Sequence, residues 1–149
     1  MKKILAIAAL FIGTLLHAAP EGSEGYQPVI KVVPLVKTTT TSADQPIVYP
    51  VTEHPEVTAV RVTIPPGAQT GWHKHPFPCY GYILSGELDV ELEGGKVNHC
   101  KAGEALVEAV NVLHNGTNKG TEPVTLVMFV MGEKGQAFTV PAAPPKKAD

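Results

Sequence analysis

Charge is scarce in this chain, and neither sign dominates. Only 17% of its 149 residues are charged, 12 Lys and Arg against 14 Asp and Glu. That excludes a disordered polyelectrolyte, and a formal net charge of −2 offers no basic face to a phosphate backbone. Nucleic acid is therefore not an expected partner. Helical periodicity is missing as well, and no segment recurs at a fixed period, which sets aside solenoids and propellers. Cysteine is rare: there are two, and neither follows the apolar run near the N-terminus, so a lipid-anchored form is not expected. What is plentiful is turn material, 14 Gly and 14 Pro, beside 44% hydrophobic residues, enough to build a core. The length suits a single domain.

The first residues read as an export label. Lys2 and Lys3 precede an uncharged apolar run from Ile4 to Leu16, and His17-Ala18-Ala19 supplies small residues for cleavage. This is the pattern of a secretory signal peptide over residues 1–18. The 13 apolar residues are too few for a membrane span, which needs about 20. The mature chain is expected in the bacterial periplasm or secreted, without membrane attachment once cleaved. Residues 19–28 and 141–149 lack a hydrophobic period and read as a flexible N-terminal segment and a disordered tail.

Between them, over 29–140, the hydrophobic period is two. Val57–Ile64 is rich in Val and Thr, and Glu87–Glu93 alternates strictly, with Leu88, Val90 and Leu92 on one face. Gly94-Gly95 signals a hairpin. Tyr80–Leu84, Ala105–Val110 and Val124–Met131 read as further strands, the last buried on both faces; Val29–Val36 and Thr38–Thr41 suggest one or two more. Many short strands with frequent turns imply an all-β fold, a small antiparallel sandwich or barrel.

The histidines carry the functional signal. His73 and His75 form an H-x-H pair, and alternate residues of a strand face one way, so the two rings form a ready pair of metal ligands. With Gly86 they match the first motif of the cupin superfamily. Gly103, His114 and Asn118 fall at the offsets of its second motif, with Ala109 and Asn111 in place of a Pro and a Gly. The chain thus resembles the cupins over residues 57–132. The resemblance implies an antiparallel jelly-roll barrel with a central divalent ion (Fe, Mn, Ni, Cu or Zn) on His73, His75 and His114, and a homodimer in which the Val29–Thr41 strands exchange.

The motif's metal-binding Glu falls here on Cys79, and three readings stand open. Cys79 is a thiolate ligand, a disulfide partner of Cys100, or a small buried hydrophobe. If it points inward, so do Gly81 and Ile83, and Gly81 would leave space beside the metal. Glu108 is the one acidic residue within an apolar strand, a candidate catalytic acid or base, a partner to a ligating histidine, or equally a strand residue facing solvent. His54 and His99 read as exposed bystanders, and Trp72, Phe77, Tyr80 and Tyr82 as strand and core aromatics or, alternatively, as the lining of a pocket for an aromatic ligand. The resemblance implies a metal-dependent enzyme, of dioxygenase type, on a small organic substrate. Its alternatives are a non-catalytic metal or small-molecule binding module and an isomerase-type cupin.

Overall fold

A computed structural model describes residues 25–27 and 29–146. The signal segment 1–18 and most of 19–28 lie outside the described residues, as do 147–149. The chain divides into Met1–Pro34 and Leu35–Asp149. In the first unit the described residues hold no strand, and Ile30 N donates to Gln27 O. The second unit contains the barrel strands.

Nine strands lie among the described residues of this unit: β1 (Pro55–Ile64), β2 (His73–Lys74), β3 (Cys79–Ser85), β4 (Glu87–Leu92), β5 (Val97–Lys101), β6 (Ala105–Val107), β7 (His114–Thr117), β8 (Val124–Glu133) and β9 (Val140–Pro141). They form two antiparallel sheets, ordered β1-β8-β3-β6 and β5-β4-β7-β2-β9. This is the expected all-β jelly roll, and no helix occurs among the described residues. Alternation decides what is inside. Leu88, Val90 and Leu92 of β4 meet Ile83 of β3 and Val124 and Leu126 of β8 in one core. The Gly94-Gly95 hairpin joins β4 to β5, both glycines at positive φ.

Four expectations change. First, Val29–Val36 and Thr38–Thr41 are not strands, so the proposed exchange strands are absent among the described residues. Apart from one isolated bridge, Thr40 to Pro46, the segment is a loop pinned by side chains. The Gln45 amide clasps Val110 through both its oxygen and its nitrogen, at 3.1 Å each. Pro34, Pro46 and Pro50 remove donors that a continuous ladder needs. Second, β8 is buried on one face only: Phe129 and Met131 lie on its other, outer face, 46% and 37% exposed. Third, residue 141 is not yet tail. Pro141 pairs with His73, and Ala142 N donates to Trp72 O. Fourth, Gly81 leaves no void, because a Cβ there would sit 2.6 Å from Leu106 Cδ2. The leucine already fills the space.

Asn118, the last residue of the second motif, serves the fold. Its buried amide donates to the carbonyls of Ile64 and Glu122, and its oxygen accepts from Gly120 N. Asn111 stands where the motif has glycine and adopts φ +58, a left-handed conformation that asparagine tolerates.

Candidate metal centre

Three elements bring the histidines together. β2 carries His73, its continuation carries His75, and β7 presents His114 directly opposite His73 in the register. The ring centroids lie 4.4 to 5.0 Å from one another. One nitrogen from each ring falls within 4.8 Å of the other two, a group able to hold a metal ion.

Each ring is oriented from behind by the backbone. His73 Nδ1 bonds Gly71 O at 2.8 Å, His75 Nδ1 bonds Phe138 O at 2.7 Å, and His114 Nδ1 bonds Val112 O at 2.9 Å. A carbonyl only accepts, so every Nδ1 carries the proton and donates. The three Nε2 atoms are turned away from these carbonyls, the arrangement that orients metal-binding histidines, with that of His75 set against Glu108. His114 Nε2 is buried with no hydrogen-bond partner. A satisfied core histidine would not strand a nitrogen in this way.

Cys79 and Glu108 form a second group around the same ring: His75 Nε2, Cys79 Sγ and a Glu108 oxygen also lie within 4.8 Å of one another. Glu108 Oε2 is 2.9 Å from His75 Nε2 and forms no hydrogen bond. Burial opposes charge on His75, but the Cys79 and Glu108 side chains against it outweigh that, and its pKa is pushed up to about 10. Burial also opposes ionisation of Glu108. The adjacent His75 ring nevertheless holds this carboxyl below the usual carboxylate range. His114 moves the other way, lowered by burial.

Both cysteines are free thiols, which corrects the disulfide reading. They belong to different sheets and different clusters: Cys79 packs with Met128 and Val130, and Cys100 with Leu88 and its neighbours. Burial pushes the Cys79 thiol up, and that of Cys100 up to about 11. His54 and His99 are exposed and away from the centre; His99 contacts Asp89 at 2.6 Å.

The centre opens on a cavity of about 630 Å³ inside the barrel. Val60, Val62, Leu126 and Met128 form its apolar wall, with Trp72 and Phe138. Among the described residues neither lysine nor arginine lines it, and Glu108 is its one carboxylate. Of the four aromatics, Trp72 takes the pocket-lining alternative, while Phe77, Tyr80 and Tyr82 do not line this cavity. Phe138, whose carbonyl holds His75, carries no mark in the sequence: its role comes from a loop that folds back ahead of β9. The apolar wall was legible as the alternate residues of β1 and β8.

Comparison with known proteins agrees with this architecture. The cupin domain family model matches residues 60–130. A double-stranded β-helix protein from Klebsiella pneumoniae is 26% identical at a TM-score of 0.51, covering 65% of this chain and 86% of that one. An oxalate oxidase is 26% identical at a TM-score of 0.50, over 57% of this chain and 45% of its own. A DMSP lyase from Ruegeria pomeroyi shares the fold at 22% identity and a TM-score of 0.53, over 61% of this chain. The present chain spans 45% of that lyase, about half its length, as it does for the oxidase. No curated protein matches.

Proposed function

Because this chain belongs to the cupin superfamily through residues 60–130, we propose that it holds one divalent metal ion on His73, His75 and His114 and acts on a small organic molecule as a dioxygenase-type enzyme. The observation that carries this reading is the trio of imidazoles, each tied back through Nδ1 and each turning Nε2 to a common point, one of them buried without a partner. Neutral imidazoles leave a divalent ion its full charge. Such an ion supplies Lewis acidity, and iron, manganese, nickel or copper adds oxygen chemistry that zinc does not.

The chain's own residues set what enters. Apolar walls shed water and favour an apolar ligand, while no lysine or arginine stands ready to neutralise a carboxylate. Glu108 adds a negative charge. A neutral, partly apolar molecule suits this cavity better than a small dianion. Trp72 is the one tryptophan of the chain and lines the cavity, so its fluorescence reads occupancy directly. In zinc-loaded protein, benzyl alcohol is expected to perturb that emission with a Kd at least about tenfold below that of oxalate, a difference of ~1.4 kcal/mol. Tighter binding of oxalate would show that the wall does not select.

The deciding experiment is metal analysis of protein purified from its own compartment, followed by oxygen consumption with candidate substrates. One redox-active ion per chain and substrate-dependent oxygen uptake support the enzyme reading. Stoichiometric zinc without turnover assigns a binding module instead, and metal-free protein that refuses all five ions defeats both. Export is part of the proposal. Mature protein should begin after Ala18, and an N-terminal sequence that still starts at Met1 would refute it.

A further inference from the structure

Position 79, where the cupin pattern has its metal-binding glutamate, carries a thiol. The structure places a carboxylate across the strand from that gap. β3 and β6 pair with Tyr80 opposite Val107, and one step further Glu108 N donates to Cys79 O at 2.9 Å. Residues facing each other across an antiparallel pair project to the same side. The Glu108 side chain therefore enters the region that a side chain at 79 would reach. There its Oε2 lies 2.9 Å from His75 Nε2, buried and without a hydrogen bond, in one group with His75 and Cys79 rather than with His73 and His114, so a turn of the side chain about its own bonds carries it to the ion. Cys79 is already engaged, since its Sγ–H donates to the Phe77 carbonyl at 3.4 Å.

We propose that Glu108, and not Cys79, is the fourth protein ligand of the ion, supplying from the neighbouring strand the carboxylate that position 79 lacks. Glu108, expected from sequence as an acid, a base or an outer partner, is thereby an inner ligand. The assignment rests on the three-histidine reading and goes beyond it. It also bears on metal choice: a hard carboxylate beside three imidazoles suits iron, manganese or zinc, whereas a thiolate would favour copper(I).

Cobalt(II) loaded into the full chain separates the two donors. The wild-type spectrum should lack sulfur-to-cobalt charge transfer, and Cys79→Ser should bind cobalt within about threefold of wild type. Glu108→Gln keeps the shape of the side chain but removes its charge, and should lose roughly 10- to 100-fold in cobalt affinity while shifting the visible ligand-field bands. Circular dichroism checks that this variant is folded, and the wild-type spectrum needs no variant at all. A charge-transfer band that vanishes in Cys79→Ser overturns the proposal, as does unchanged affinity in Glu108→Gln. Wild-type protein that binds no cobalt would instead overturn the three-histidine reading itself.

Discussion

Alanine in place of His114 is expected to abolish stoichiometric metal binding, with a fall in affinity of about 1000-fold or more, ~4 kcal/mol. The size follows from geometry. His114 supplies the one histidine nitrogen among the described residues that is buried and unpartnered, and its ring is aimed by Val112 O rather than free to turn. Two imidazoles on the opposing strand would remain, with the Glu108 carboxylate beside His75 alone, a weaker and lopsided chelate. The fold itself should tolerate the change. Alanine leaves a cavity but also removes a stranded polar atom, so stability without metal should move by less than ~2 kcal/mol. Wild-type protein, by contrast, should gain about 2.7 kcal/mol when free metal stands at 100 times its Kd, and the variant should gain nothing. Metal content after dialysis and urea unfolding with and without metal provide the check. A variant that still retains one ion per chain would remove His114 from the centre.

The second large effect concerns folding. Gly86, matched by the first cupin motif, sits at φ +78 between β3 and β4. A Cβ there would lie 3.0 Å from Pro123 O, Val124 Cα and Val124 Cγ2, two of them backbone atoms that cannot turn aside. Gly86→Ala therefore combines left-handed strain with an unrelieved clash, and should cost roughly 3–4 kcal/mol. That is a large share of the 5–15 kcal/mol typical of a domain, order-of-magnitude values both. Gly94 provides the control, because its φ is +89 but a Cβ would meet nothing within 4 Å. Gly94→Ala should lose only about 1 kcal/mol. Urea midpoints at constant slope measure both. Equal losses would mean that Gly86 matters for its backbone angle alone.

This contrast sorts the motif residues by task. His73, His75 and His114 present nitrogens to the centre, whereas Gly86 and Asn118 make a turn and a hydrogen-bonded knot away from it. A spacing pattern weights these alike, since it records positions and not what each side chain touches. Strands β1, β3, β4 and β8 were legible because alternation of apolar and polar residues is a local property of a half-buried strand. The N-terminal segment was not. Its valines and threonines have strand propensity, but the prolines and the Gln45 clasp on Val110 hold it as a loop. The same limit applies to Gly81, whose apparent space belongs to Leu106, a contact made 25 residues away in sequence.

From the order of residues alone came the all-β class, the main strands, the inward face of β4 and the three histidines, all consequences of short-range period and spacing. Tertiary structure alone decided that the two cysteines stay apart, that Glu108 stands opposite Cys79, and that three backbone carbonyls fix the rings. Those facts depend on which strands become neighbours and in what register. Register is set by packing over the whole barrel, because a slip of one residue would turn each inward side chain out to solvent.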